Sequence, residues 1–236
     1  MNIEKYSRQI LSKKIEKFGQ KKLLDSTVVI VGMGGLGTNI SSSLVRAGIG
    51  KLIIFDSDRI EESNLQRQSL FDKFDIGRKK AETAGEKLSA INSDTEIITF
   101  SENLSYENYK KIKKADIIID AVDNLESRFL INNIAVKLKI PFLYCSVEDE
   151  EGMVGFFQKK PCFMCIFQKI EEKKEIKPIL NQTVMTASAI ASNEAMNYLI
   201  SGKSTLKSKI LYFSLKSYRF EAIPVKPNKN CDVCSK

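Results

Sequence analysis

The chain contains no histidine. That absence removes Ser-His and Cys-His nucleophilic schemes, and leaves only thiolates and oxygens to hold a metal. No run of 18 apolar residues exists, so no membrane-spanning helix is expected. The opening MNIEKYSRQI mixes charges with apolar residues and lacks the apolar core of a signal peptide. A cytoplasmic location follows as the expectation, with no membrane partner. No linker rich in Gly, Pro or Ser, no internal repeat and no low-complexity tract divides the chain, so a single domain over residues 1–236 is expected. The net charge is +8, but the lysines are spread along the chain rather than gathered into one patch interleaved with aromatics. Nucleic acid is therefore not an expected partner.

What remains is an ordinary globular composition, 43% apolar and 28% charged over 236 residues, long enough to bury a sizeable core without staples. Residues 4–24 carry apolar positions at helical spacing. Thr27–Val31 (TVVIV), Lys51–Phe55 (KLIIF), Glu96–Phe100, Asp116–Val122 and Pro141–Val147 read as strands. Helices are expected between them at Thr38–Ala47, Lys79–Ile91 and Glu126–Leu138. This alternation predicts βαβ units: an α/β fold with a Rossmann-like, doubly wound, largely parallel sheet. After residue 148 the pattern changes to strands at Val154–Gln158, Ile210–Leu215 and Tyr218–Val225 around one helix, Thr186–Ile200. We read that third as an extension of the first part, giving an N-terminal helical segment (1–25), a nucleotide-binding core (26–148) and an extension (149–236).

Gly32-Met33-Gly34-Gly35-Leu36-Gly37 fits G-x-G-x-x-G between a strand and a helix. Gly32 permits the tight turn, Gly34 lets the backbone approach a phosphate, and Gly37 lets helix and strand pack closely. The helix N-terminus offers free N–H groups to an anion. Asp56, ending the second strand, stands where an acid accepts hydrogen bonds from a ribose. NAD is the usual ligand of such a turn, so other residues must choose the nucleotide. Arg8, Arg67 and Lys80 supply three cations, more than a diphosphate bridge requires and suited to a triphosphate whose leaving group must be neutralised. Asp123, at the carboxyl edge of the fourth strand, is a natural magnesium ligand. Each also has a plain reading: Arg67 and Lys80 as solvated charges, Asp123-Asn124 as a helix cap.

Four of the five cysteines form two pairs, Cys162/Cys165 and Cys231/Cys234. Two such pairs predict a tetrahedral site of four thiolates, with zinc as the metal and no position left open for catalysis. A redox dithiol is the alternative. Cys145, in the fifth strand, reads as a small buried residue.

Several of these pieces together resemble the ThiF/MoeB/HesA family of adenylyltransferases, bacterial relatives of ubiquitin-activating enzymes. They are Tyr6-Ser7-Arg8-Gln9, Gly32 to Gly37, Phe55 to Asp58, Ser63 to Gln68, Gly77 to Lys80, Asp123-Asn124 and both cysteine pairs, in family order over nearly the whole chain. The resemblance implies ATP-dependent activation of the C-terminal glycine of a small ubiquitin-like sulfur carrier ending in Gly-Gly, as an acyl-adenylate, for thiamine or molybdopterin synthesis. It implies Asp56 on the ribose, Gly35 near the phosphates, Asn64, Arg67 and Lys80 around the triphosphate, Asp123 on Mg2+, and Arg8 reaching the partner subunit's nucleotide in a homodimer. It gives Cys162, Cys165, Cys231 and Cys234 a structural Zn2+ and makes residues 149–236 a zinc-stapled carrier-binding extension. The crossover Glu171 to Gln182 has no cysteine, unlike the sulfur-transfer members, so no covalent step beyond the acyl-adenylate is expected unless Cys145 faces the site. That crossover is charged and is expected to be mobile and to help cover the carrier's tail. The chain carries no sulfurtransferase segment, so a separate protein is expected to donate sulfur. Adenylation of a peptide or a tRNA base, an NAD-binding Rossmann protein, and an inactive scaffold remain as other readings.

Overall fold

The computed structural model describes residues 4–168, 170 and 177–235. One eight-stranded sheet runs through the molecule in the order β3-β2-β1-β4-β5-β6-β7-β8. The first five strands are β1 (Thr27–Val31), β2 (Lys51–Phe55), β3 (Glu96–Phe100), β4 (Ile117–Asp120) and β5 (Phe142–Glu148), all parallel. β6 (Glu151–Phe157), β7 (Lys209–Ser214) and β8 (Arg219–Pro224) then continue the sheet in antiparallel fashion. The chain reverses direction in sequence order at β1 and β4, the crevice where ligands of open α/β sheets bind.

The central strands are β-branched because both sheet faces are covered. Val28 and Ile30 face one layer, made by α3 (Gly35–Ala47), α4 (Lys80–Ile91) and α7 (Asn181–Ser201). Val29 and Val31 face the other, made chiefly by α5 (Leu125–Leu138) and the short α6 (Met164–Phe167). Val28, Val29 and Ile30 are fully buried, each contributing roughly 1.5–3 kcal/mol of apolar burial. The N-terminal α1 (Ser7–Ile10) and α2 (Glu16–Leu24) lie outside this sandwich, and α2 packs on α7.

Three element starts differ from the sequence expectation by three residues or more. α3 begins at Gly35, not Thr38, because the Thr38 N–H already donates to the Gly34 carbonyl (3.0 Å) and the glycine turn runs straight into the helix. α7 begins at Asn181, not Thr186, with the Val184 N–H on the Leu180 carbonyl (3.1 Å). β6 begins at Glu151, not Val154, because a tight reversal at Asp149 (φ 52°) pairs Glu148 with Glu151. The sequence reading also missed α6. The crossover expected to be mobile and to cover a carrier's tail falls largely on residues 171–176, outside the described residues. Its exit is fixed: the Asp149 N–H donates to the Pro178 carbonyl (2.7 Å), and Lys177 pairs with Glu148 (2.5 Å).

Candidate functional site

The turn after β1 is shaped by two glycines that nothing else could replace. Gly32 has φ +95°, and a Cβ there would lie 2.6 Å from the Ala121 carbonyl oxygen. A Cβ on Gly37 would lie 2.0 Å from the Gly32 carbonyl oxygen. Gly34 differs: its nearest neighbour is the Gln68 amide nitrogen at 3.9 Å, so open space lies over its backbone. Free N–H groups at the start of the 13-residue α3 are available beside that space. Gly35 lines the cleft but is also packed tightly, with Val184 and Arg67 atoms 3.2 and 3.3 Å from a Cβ there.

Asp56 at the end of β2 fastens this turn. Its carboxylate accepts the Met33 N–H (2.6 Å) on one oxygen and the Asp58 N–H (2.8 Å) on the other. Burial pushes its pKa up, while the two N–H donors and Lys80 oppose that. Each oxygen keeps a second acceptor site, so the same carboxylate can receive hydroxyl donors from the cleft.

The stretch after β2 is equally compact. The Asn64 carbonyl accepts both the Arg67 and Gln68 N–H groups (3.1 Å each), and its buried side chain accepts the Glu61 N–H (3.3 Å). The half-buried Arg67 guanidinium donates to the Ser63 carbonyl (3.1 Å). Lys80 opens α4 and is 7% exposed; its ammonium meets Asp58 at 2.9 Å. Asp58 is far more exposed, so this pair can exchange its carboxylate for a bound anion. At the end of β4, Asn124 caps α5 by accepting the Ser127 N–H (2.9 Å). Asp123 therefore stays exposed and free of the capping duty that a plain reading would give it.

Gly35, Asp56, Asn64, Arg67, Lys80 and Asp123 thus line one open cleft of about 1440 Å³. Arg8 does not. It sits exposed on α1 between two anchors: Tyr6, buried against Gly48 and bonded from the Asn92 amide (2.9 Å), and Gln9, bonded to the Ala47 carbonyl (2.8 Å) and to Gln20.

The sequence reading names Gln68 only within the string Ser63 to Gln68, and it misses other cleft residues. Gln68 is 2% exposed, lines the cleft, and its Oε1 has no partner among the described residues. Arg128 on α5 and Tyr144 on β5 also line it, with the guanidinium 5.1 Å from the Tyr144 ring centre. Asp120 is fully buried beneath them. A signal existed for the last: an acid closing the apolar run IIID is out of place unless paired. Cys145 is absent from the cleft. It is fully buried on the α3/α7 side of the sheet, and burial drives its thiol pKa far up, so it stays protonated and inert.

The four remaining thiols meet on the α5 side of the sheet. Cys162–Cys165, Cys162–Cys231 and Cys165–Cys234 sulfurs are 4.0, 3.7 and 3.4 Å apart, and all four lie within 4.8 Å. Disulfides would need ~2.05 Å. A tetrahedron of thiolates at zinc's ~2.3 Å bond length spaces its sulfurs ~3.8 Å apart, and the three shortest separations here lie close to that value. The residues present therefore fit such a metal. Burial raises Cys162. Burial also acts against the Cys231 thiolate, but N–H donors from Cys234 and Val233 and bonds from Cys162 and Cys165 outweigh it, bringing Cys231 to about 7. The buried Asn132 of α5 donates to the Cys162 sulfur (3.8 Å) and accepts the Phe163 N–H (2.9 Å), so the knot is fastened to a helix whose other end borders the cleft.

The model of the ThiF family matches residues 6–233. The SAMP-activating enzyme E1 of Haloferax volcanii is 30% identical over 98% of this chain and 88% of its own length. The sulfur carrier protein ThiS adenylyltransferase of Escherichia coli is 32% identical, covering 98% of this chain and 94% of that protein. Among solved structures, Escherichia coli MccB with ATP superposes with a TM-score of 0.87 at 24% identity, over all of this chain and 75% of that one, a likeness of fold. This chain belongs to the ThiF family.

Proposed function

We propose that this protein is an ATP-dependent adenylyltransferase that activates the C-terminal carboxylate of a ubiquitin-like sulfur carrier. The observation that carries the reading is the meeting of the glycine turn, Asp56, Asn64, Arg67, Lys80 and Asp123 around one cleft, in a ThiF-family chain. Near-full-length relatives named as carrier-protein adenylyltransferases support it.

In this reading the carrier's carboxylate oxygen attacks the α-phosphorus of ATP. A new O–P bond forms, the bond to the bridging oxygen breaks, and pyrophosphate leaves with its electron pair. The attacking group is already anionic, so no general base is required, and a histidine-free site suffices. Asp56 accepts the ribose hydroxyls. Free N–H groups beyond Gly34 and Gly35 receive phosphate oxygens. Asn64, Arg67 and Lys80 offset the charge gathering on pyrophosphate, Lys80 releasing Asp58 to do so. Asp123 would hold Mg2+, which supplies further charge neutralisation. Arg8, displayed outward between anchored neighbours, would complete the site of a second copy in a homodimer. The four cysteines would hold Zn2+ and staple the tail, in a single domain spanning the chain. With Cys145 walled off, chemistry ends at the acyl-adenylate, and sulfur arrives from a separate donor, in the cytoplasm, for thiamine or molybdopterin synthesis.

ATP–pyrophosphate exchange with a panel of carriers ending in Gly-Gly tests this. Exchange should require a carrier, and Arg67→Ala or Asp123→Ala should each lower it by about 100-fold or more. Tight ATP binding without exchange on any carrier would overturn the carrier reading and favour a peptide substrate.

A further inference from the structure

The exposed Asp123 carboxylate accepts one long hydrogen bond from the Asn124 amide (3.4 Å), and Asn124 in turn caps α5. Just before Asp123, the Val122 residue is gripped from both sides. The Val122 N–H donates to Asp120 Oδ1 (3.0 Å), and the Val122 carbonyl accepts from Arg128 Nη2 (2.7 Å). Asp120 and Arg128 themselves meet only loosely: Oδ2 and Nε are 3.3 Å apart, and neither atom makes a hydrogen bond. The best bonds of this buried pair therefore go to the main chain of Val122, not to each other. The guanidinium is held from behind by the Tyr144 ring, whose hydroxyl pairs with Ser146 (2.6 Å). Burying an ion pair is costly, and well-packed apolar residues would stabilise the fold as well or better. A pair aimed at one residue's N–H and C=O instead fixes a backbone position.

We propose that Asp120 and Arg128 are positioning residues for the Asp123 carboxylate: by holding Val122 at both its N–H and its C=O, they set where that carboxylate meets a divalent cation carried by the nucleotide. This inference rests on the reading of Asp123 as the magnesium ligand. Neither residue touches the nucleotide in this role. Their effect passes through one backbone position, so it falls on the metal-dependent part of nucleotide binding and spares the part that Asp56, Asn64 and Lys80 supply.

The test is calorimetric binding of ATP in the presence of Mg2+ and again in chelator, on the whole protein. The measured quantity is the gain in ATP affinity that Mg2+ brings. Asp120→Asn combined with Arg128→Met removes both buried charges together, and Arg128→Lys keeps the charge balance but cannot grip carbonyl and carboxylate at once. In the double variant the magnesium-dependent gain should fall about tenfold, a larger loss than any fall in the affinity measured in chelator. Arg128→Lys should lie between, and it serves alone if the double variant does not fold. An unchanged gain in a folded variant overturns the proposal, as does a loss of affinity of equal size with and without Mg2+, which a merely structural role would give. Asp123→Ala separates the two levels. If it keeps the full gain, the reading of Asp123 fails and this inference with it. If it loses the gain while the clamp variants keep it, only the clamp is wrong.

Discussion

The cleft and the cysteine knot are built in opposite ways. The cleft is assembled from residues spread over about a hundred positions, yet nearly every one is fixed by main-chain hydrogen bonds: Met33 and Asp58 to Asp56, Arg67 and Gln68 to Asn64, Val122 to Asp120. The knot joins two short turns 69 residues apart, and sulfur is its principal tie across that gap. The cleft takes its shape from the sheet and the turns at its edge, whereas the knot is a cluster of four thiols close enough together to hold a metal.

Metal removal tests that contrast most severely. If the four thiolates hold zinc, chelation should forfeit binding free energy on the order of 10 kcal/mol and, like Cys231→Ser, should free the tail from residue 226 onward. Limited proteolysis would show cleavage there first, and ATP affinity should stay within about twofold. A collapse of nucleotide binding on chelation would break the distinction between the two regions. Gly37→Ala attacks the cleft instead. Its methyl group would overlap the Gly32 carbonyl, so a loss of about 3 kcal/mol or more in denaturant unfolding is expected, with metal content unchanged in what folds.

The third prediction concerns acidity. Burial, opposed by Arg128 and the Val122 N–H, raises the Asp120 carboxyl from 3.8 to about 6. The folded chain then binds this proton more tightly than the unfolded chain does. Stability contributed by that proton is present at pH 4 and lost as pH rises to about 6, by up to ~3 kcal/mol. Melting the parent and Asp120→Asn across pH 4–7 should show the parent losing stability relative to the variant over that window. Parallel curves would remove Asp120 as the titrating group.

The parts legible in the sequence were those where local chemistry and fold agree. β1 and β2 fall where their apolar runs end, because a doubly covered parallel strand is nearly apolar throughout, and the partly exposed edge strand β3 (EIITF) keeps enough β-branched residues to be read as well. The cysteine pairs were legible because their spacing is itself the chemistry; Asp56, Asn64, Arg67, Lys80 and Asp123 were legible through the glycine turn and the family resemblance, while Arg8 does not line the cleft. The starts of β6 and α7 were not, since Asp149's left-handed turn and α7's first turn depend on contacts with a distant segment, whereas β7 and β8 start within one residue of expectation. The acid closing the run IIID hinted at a partner for Asp120, but that the partner is Arg128, eight positions on, emerges only when β4 and α5 are packed together.

α5 holds one more consequence. At 14 residues it is a rod ~21 Å long, capped by Asn124 where the cleft begins and bonded through Asn132 to the Cys162 turn two helical turns further on. A helix secured at a single end unravels from the other. This one is pinned at its tip and again along its length, so the separation between the Asp123 loop and the Cys162 turn is a ruler set in the backbone.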